Sequence, residues 1–306
     1  PSTICLEGPA GISKTSLVKQ IAEEVGYALH QINPAMIDDL GFLMGFPEKQ
    51  HQIIYENMTF WIPSEATEEY LQKGASITNE SRMSVAPPEW VQKIDPTKKF
   101  ILLLDDFTRA DNRVMQACMT IVEEYRYDGW ELPKNTIIIL TTNPDNGEYN
   151  VASLDLAQKT RFRYIQMEFD VDSWAQWAEK FGIDGRCINF VLAHPELFKN
   201  EGNGIGFGKE LNARIMTKFF EDIQALPDFS KSLGYLQIAG QGSVGDGFTS
   251  MFLSFINNKL DKLPNPNDLF AGKLEEALNI LQGVCGNFQI ASSYNPATSS
   301  IMATRL

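Results

Sequence analysis

The sequence of 306 residues predicts a three-layer α/β core with a parallel sheet, followed by an all-α second domain. Short apolar runs alternate with helical stretches in the first half, which is the pattern of a parallel sheet. Only helical periodicity remains in the second half. The length fits two domains of about 100–200 residues each. We therefore place the α/β core at residues 1–170 and the helical domain, which would form a lid, at residues 171–306.

Five apolar runs of strand length define the predicted sheet. They are Thr3–Glu7, Tyr27–Ile32, Phe100–Leu104, Thr136–Thr141 and Tyr164–Met167. Helical stretches at Thr15–Val25 and Asn112–Tyr127 lie between them. Residues 38–98 form a longer insertion with few clear signals, although the Pro87-Pro88 pair predicts the start of a short helix.

The second half shows four helical stretches and no convincing strand. They are Trp174–Phe181, Lys209–Ala225, Gly247–Leu260 and Lys273–Gly283. Residues 240–245 match the Gly-x-Gly-x-x-Gly pattern of dinucleotide sites, which requires a preceding strand. We interpret this segment as a glycine-rich turn between helices.

The composition narrows the functional class. The formal net charge of −13 opposes binding to phosphate backbones, so nucleic acid is an unlikely partner. The four cysteines form no Cys-x-x-Cys pair, and we interpret them as buried free thiols in a reducing compartment, which favours a cytoplasmic location. No apolar run reaches the ~18 residues of a membrane span. Because the chain starts at Pro1 and enters an apolar run at Ile4, we expect further native sequence upstream.

Residues 8–15 have the pattern of a phosphate-binding loop between a strand and a helix. Such a loop turns backbone N–H groups and a helix N-terminus toward an anion. Lys14 would reach the β- and γ-phosphates, and the Thr15 hydroxyl would bind Mg²⁺. Ser13 stands where the pattern has glycine, so the turn has to tolerate a Cβ atom. The predicted nucleotide-binding residues are Gly8, Pro9, Ala10, Gly11, Ile12, Ser13, Lys14 and Thr15.

A pair of carboxylates follows the apolar strand at residues 100–104. Ligands of open parallel sheets bind at the carboxyl ends of the strands, so both acids are expected at the phosphate loop. Asp105 is the predicted metal-binding residue, as in a Walker B motif. Asp106 is predicted to position or deprotonate the attacking water.

Three further polar residues are candidates for catalysis. Asn143 follows the next strand and would hold the attacking water (sensor 1). Arg161 ends a helical stretch and would act in a neighbouring subunit as an arginine finger, with Arg163 as the alternative. Arg214 would contact the γ-phosphate from the helical domain (sensor 2).

The order of these motifs resembles that of MoxR-type AAA+ ATPases over nearly all of the chain. The motifs are GPAGISKT, ILLLDDFTRA, TTN, KTRF and ELNAR, and smaller similar stretches occur at residues 38–47, 86–90 and 127–133. The resemblance implies ATP with Mg²⁺, a homo-oligomeric and hexameric ring, and a chaperone-like or remodelling role. It also implies a von Willebrand factor A domain protein as a possible partner. Ser13 for glycine and Asp106 for glutamate depart from the family pattern.

Two other functions fit the same motifs. One is an AAA+ machine acting on DNA, which the negative charge opposes. The other is a nucleotide-gated binding module that hydrolyses slowly or not at all, which the departures at Ser13 and Asp106 favour.

Overall fold

A computed structural model describes residues 3–145, 151–198 and 211–258, together with Asn279. Contacts divide the chain into two units. The first comprises Pro1–Pro9 and Lys14–Met167, and the second comprises Ala10–Ser13 and Glu168–Leu306. The predicted helix at Lys273–Gly283, apart from Asn279, and the fourth cysteine, Cys285, lie outside the described residues.

The strands of the described residues all belong to the first unit. They are β1 (Ile4–Glu7), β2 (Ala28–Ile32), β3 (Phe46–Tyr55), β4 (Met58–Pro63), β5 (Ser76–Ala86), β6 (Phe100–Leu104), β7 (Arg126–Tyr127), β8 (Trp130–Glu131), β9 (Thr136–Thr142) and β10 (Arg163–Gln166).

The helices divide between the two units. Those of the first unit are α1 (Lys14–Glu24), α2 (Gly41–Met44), α3 (Thr67–Gln72), α4 (Glu89–Gln92), α5 (Asn112–Glu124) and α6 (Leu156–Lys159). Those of the second are α7 (Val171–Phe181), α8 (Gly185–Ala193), α9 (Ala213–Ile223), α10 (Leu233–Ser243) and α11 (Asp246–Asn257). No helix in this described part combines the length and apolarity that a bilayer crossing requires.

The central sheet is parallel and is covered by helices on both faces. Its five described strands have the order β10-β1-β9-β6-β2. Alternate residues of β6 face opposite sides: Leu102 packs in one core cluster with Ile121 of α5, and Leu103 packs in another with Val18 of α1. This three-layer arrangement and the helical second unit confirm the predicted fold class.

The insertion, in contrast to its weak sequence signals, forms a three-stranded antiparallel sheet in the order β4-β3-β5. Only Ile53 and Ile62 in these strands are buried, so the usual alternation of apolar and polar residues is blurred. Helix α2, which directly precedes this sheet in the chain, is held by the indole N–H groups of Trp90 and Trp130, which donate to the Leu43 and Met44 carbonyls at 3.1 and 2.7 Å.

Two further predictions required correction. The helix predicted to run to Tyr127 ends at Glu124, because Tyr125 adopts a left-handed conformation (φ 56°) and the chain enters the β7–β8 hairpin. The glycine-rich turn predicted at 240–245 is wrong in its first part, since Gly240 lies within α10. A Cβ atom there would come within 2.5 Å of the Thr249 hydroxyl oxygen, so glycine permits close packing of α10 on α11.

The second unit has a core rich in phenylalanine. Phe190 of α8 lies with its ring centroid 5.0 Å from those of Phe248 and Phe252 of α11. Phe252 also lies near Phe219, Phe220 and Phe229, and all of these side chains are buried. Burial of these large aromatic side chains stabilises the core of this unit.

Candidate functional site

The strand order brings three predicted site segments to one edge of the central sheet. The carboxyl end of β1 leads into the loop at residues 8–15, and β9 and β6 lie beside it in that order. The Gly8 N–H donates to the Thr142 carbonyl at 3.2 Å, which holds the start of the loop against the end of β9. Asp105 directly follows β6 at the same edge.

The loop contains two residues in the left-handed region, Gly11 (φ 83°) and Ser13 (φ 69°). Loops with left-handed residues can turn their N–H groups to one side, which forms a concave site for an anion. Glycine adopts this conformation without cost, whereas for a residue with a Cβ atom it costs roughly 1–2 kcal/mol. The departure from the usual glycine is therefore a strained position within the loop.

Lys14 begins α1 and is buried, with its ammonium group held among oxygen atoms. The Nζ atom donates to the Gly8 and Pro9 carbonyls at 2.7 and 2.9 Å and to the Asn143 Oδ1 atom at 2.9 Å. These three acceptors are neutral. An anion adds direct charge attraction that these neutral acceptors lack, so a phosphate can compete for the ammonium group.

The Thr15 hydroxyl donates to the Asp105 Oδ1 atom at 2.7 Å. Asp105 is buried, and its carboxylate accepts two more bonds, from the Thr141 hydroxyl on Oδ1 at 2.6 Å and from the Gln31 amide on Oδ2 at 2.8 Å. A hydroxyl beside a fixed carboxylate offers the hard oxygen ligands that Mg²⁺ takes from a protein when phosphates and waters supply the rest. Thr15 and Asp105 therefore fit a magnesium ion.

Asp106 lies next to this carboxylate in a left-handed conformation (φ 53°, ψ 39°). Its N–H donates to the Thr141 hydroxyl oxygen at 3.0 Å. The Asn143 side chain is joined to this edge by the bond that its Oδ1 atom accepts from Lys14. The structure thus brings Lys14, Thr15, Asp105, Asp106 and Asn143 to one edge of the sheet.

Arg161 and Arg163 lie at the opposite edge. Arg163 is the first residue of β10 and pairs with Ile4, the first residue of β1, so both arginines are at the amino ends of the strands. At about 3.3 Å per residue, the length of β1 separates them from the phosphate loop by more than about 10 Å. Arg161 forms an ion pair with Glu123, with Nε 3.2 Å from Oε2. Neither arginine can serve the phosphate loop of its own chain.

Arg214 lies in the second unit as the second residue of α9. It is exposed, and α9 is capped by the Asn212 side chain, whose Oδ1 accepts the Ile215 N–H at 3.0 Å. Its predicted contact with a γ-phosphate stays a prediction.

Two residues of the site, Gln31 and Thr141, were not identified from sequence. Each lies one position before the end of its strand, β2 or β9. The signal that could have found them is a polar side chain near the carboxyl end of a parallel strand otherwise rich in apolar residues.

The cysteines that the structure describes are buried free thiols, as predicted. Cys5 lies in β1, and burial, together with the negative charge of Glu7, raises its pKa to about 12. Burial also raises the pKa of Cys118 to about 12. These thiols stay protonated near neutral pH, so they do not supply thiolate ligands. No group of three or more His, Cys, Asp or Glu side chains suited to a metal ion occurs in the described ranges.

Comparison with known proteins yields only distant likeness. No family model matches the chain, and no curated protein matches it. Among solved structures, two single-residue mutants of RuvB from Thermotoga maritima have TM-scores of 0.43 and 0.42 at 10% and 11% identity, covering 97% of this chain and 79% of theirs. A structure described as the Thermotoga maritima RuvB Holliday junction branch migration motor has a TM-score of 0.40 at 11% identity, covering 97% of this chain and 78% of its own. Likeness at this level assigns neither a family nor a function.

Proposed function

We propose that this chain is an ATPase of the AAA+ class that binds ATP with Mg²⁺ at residues 8–15 and hydrolyses it in a ring of identical subunits. The observation that supports this most directly is the junction of three segments: Lys14 bonded to Asn143 at 2.9 Å, and Thr15 bonded to Asp105 at 2.7 Å. The same segments carry the motif order described for the sequence.

In the proposed reaction, each residue at the sheet edge has a separate task. Lys14 binds the β- and γ-phosphates, and Thr15 and Asp105 hold the magnesium ion, which when bound would neutralise charge on the phosphate oxygens. Asp106 positions or deprotonates the attacking water, and Asn143 holds it against the γ-phosphate. Arg214 would contact the γ-phosphate from the second unit.

The finer parts of the proposal rest on the sequence resemblance to MoxR-type proteins. They are a hexameric ring, a cytoplasmic location, a chaperone-like remodelling role, and a von Willebrand factor A domain protein as partner. Action on DNA is the weaker alternative, because a net charge of −13 repels a phosphate backbone. Stimulation of ATP hydrolysis by DNA at low salt would favour that alternative.

The decisive test is nucleotide binding by Lys14→Ala. A hydrogen bond to a charged group contributes about 1.5–3 kcal/mol, so we expect affinity for ATP to fall tenfold or more. The matched control is Lys19→Ala, which removes an exposed lysine from the same helix and should leave affinity unchanged. Titration with a fluorescent ATP analogue measures both. If Lys14→Ala binds ATP as tightly as the parent, the site is assigned wrongly.

A further inference from the structure

The Thr141 side chain connects the two acidic residues that follow β6. It is fully buried, and its hydroxyl lies 2.6 Å from the Asp105 Oδ1 atom and 3.0 Å from the Asp106 backbone nitrogen. A threonine hydroxyl has one proton to donate and lone pairs to accept. Because the backbone N–H is itself a donor, the proton of Thr141 goes to the carboxylate, and a lone pair receives the N–H of Asp106.

The carboxylate of Asp105 is held from three elements. Thr15 of α1 approaches it from the phosphate loop, while Gln31 of β2 and Thr141 of β9 hold it from the sheet. Gln31 binds one carboxylate oxygen, and Thr141 binds the other. Donors of this kind set the direction of a metal-binding carboxylate, and their loss typically costs 10–100-fold in metal affinity or activity.

Thr141 differs from Gln31 in that it also holds the backbone of the second acid. Asp106 is in the left-handed region at φ 53°, which is unfavourable for a residue with a Cβ atom. The bond from its N–H to Thr141 opposes relaxation of that backbone. The direction in which the Asp106 side chain leaves the chain therefore depends on Thr141.

We propose that Thr141 is a positioning residue that fixes the orientation of both acids. Its hydroxyl donates to the carboxylate of the metal-binding Asp105 and accepts the backbone N–H of the water-positioning Asp106. This inference rests on the proposed function, because it assumes that magnesium and nucleotide bind at this edge. It distinguishes Thr141 from Gln31, which acts on Asp105 alone.

The test compares Thr141→Val with Gln31→Met, since both keep the approximate shape and remove the hydrogen bond. For each variant, Mg²⁺ is titrated into protein with a bound ATP analogue to obtain the Mg²⁺ affinity, and turnover of ATP is then measured at saturating Mg²⁺. We expect both variants to need 10–100-fold more Mg²⁺, while binding of the analogue in EDTA is unchanged. At saturating Mg²⁺, turnover should recover in Gln31→Met and stay at least tenfold low in Thr141→Val.

Two control variants separate this role from a general effect on packing. Thr141→Ser keeps the hydroxyl and should restore both Mg²⁺ affinity and turnover. Thr136→Val is made in the same strand, at a buried threonine whose hydroxyl has no hydrogen-bond partner in the described part of the chain, and should match the parent. If Thr141→Val does not fold, Thr141→Cys, whose thiol is a weak donor, takes its place.

The outcomes distinguish this inference from the proposed function. If the parent binds the ATP analogue with Mg²⁺ and Thr141→Val has the same Mg²⁺ requirement and turnover, Thr141 has no positioning role and the proposed site still stands. If Thr141→Val and Gln31→Met recover equally at saturating Mg²⁺, the link to Asp106 is wrong. If the parent binds no nucleotide at all, the proposed function and the inference fail together.

Discussion

At the scale of single residues, Ser13 is the clearest departure from a relaxed backbone in the phosphate loop. Its φ of 69° costs roughly 1–2 kcal/mol relative to glycine, partly offset because glycine loses more chain entropy on folding. We expect Ser13→Gly to raise the free energy of unfolding by about 0.5–1 kcal/mol. Urea denaturation measures the change.

The control for this prediction is Ser16→Gly, which lies in the first turns of α1, where the backbone is helical. Glycine within a helix is destabilising by roughly 0.5–1 kcal/mol relative to alanine, so this variant should lose stability. Opposite signs at Ser13 and Ser16 would confirm that backbone conformation, and not removal of a hydroxyl, is responsible. A loss of stability in both would contradict the argument.

Asp106 leads to a prediction about rate. Aspartate is one methylene shorter than the glutamate of the MoxR-type pattern that the sequence resembles, and a misplacement of about 1 Å can cost on the order of 10²-fold in rate. We therefore expect hydrolysis by the parent to be slow and Asp106→Glu to raise turnover with little change in nucleotide affinity. The left-handed backbone opposes this gain, because aspartate and asparagine adopt it more readily than glutamate does.

Asp106→Asn is the matched variant for the same experiment. It keeps the side-chain length and a residue type that tolerates the left-handed region, yet removes the charge. We expect it to bind nucleotide as the parent does and to lose turnover, measured by phosphate release. If turnover falls in Asp106→Glu as well, the local structure is built around aspartate, and the argument from side-chain length has to be abandoned.

At the scale of elements, the phenylalanine cluster of the second unit carries a stability prediction. Phe252 lies at the centre of this cluster, and replacing a buried phenylalanine with alanine typically costs 3–5 kcal/mol. We expect Phe252→Ala to lower the thermal midpoint of this unit and Phe252→Leu to lower it less. Phe181→Ala removes a phenylalanine that is 68% accessible and whose ring stacks on Trp177, so it should cost no more than about 1.5 kcal/mol. Equal losses at both positions would argue against a core role for Phe252.

The elements also show what a sequence can and cannot predict. The central strands were found within one or two residues because runs such as residues 100–104 are buried on both faces and therefore uniformly apolar. The insertion sheet was missed because its strands are mostly half-exposed, so no clear period appears. Its pairing of β3 with β5 joins segments more than twenty residues apart, which local patterns do not encode.

The candidate site, like the fold, could be predicted from the sequence only in part. Lys14, Thr15 and Asp105 belong to short motifs, and the parallel sheet predicted from the alternation of strands and helices places the carboxyl ends of their strands at one edge. The strand order itself was not predicted. Gln31 and Thr141 act through the register between strands: Gln31 lies opposite Leu103, and Thr141 lies opposite Leu6. Register is a property of the folded sheet, so the sequence could indicate these polar residues only by their place near a strand end and could not show that both contact Asp105.

At the scale of the whole molecule, the two ends of the central sheet lead to a prediction about assembly. Arg161 cannot reach the phosphate loop of its own chain, so any role as an arginine finger has to be in a neighbour. Its surface ion pair with Glu123 is worth only about 0–1 kcal/mol and gives way easily. Arginine fingers raise the rate of hydrolysis by about 10³–10⁵-fold. The Arg161→Ala variant should therefore lose turnover but still bind nucleotide.

Mixing variants tests this directly. Lys14→Ala and Arg161→Ala should each be inactive alone. In an equal mixture, about a quarter of the interfaces join an intact phosphate loop to an intact arginine, so about a quarter of the parent rate should return. The same mixture made with Arg163→Ala in place of Arg161→Ala decides between the two arginines. Full activity in a strictly monomeric sample, followed by light scattering, would exclude a finger in trans.

The opposite positions of Lys14 and Arg161 also give the subunit a direction. A contact that joins the arginine end of one copy to the lysine end of the next uses two different surfaces, so each of the two copies keeps one surface free for a further copy. A dimer with two-fold symmetry uses the same patch of both copies, so it brings an arginine to a phosphate loop only where that patch spans both ends of the sheet. A two-fold dimer whose patch covers one end alone should hold nucleotide without cleaving it, whereas an assembly built from arginine-to-lysine contacts has to close on itself or keep growing.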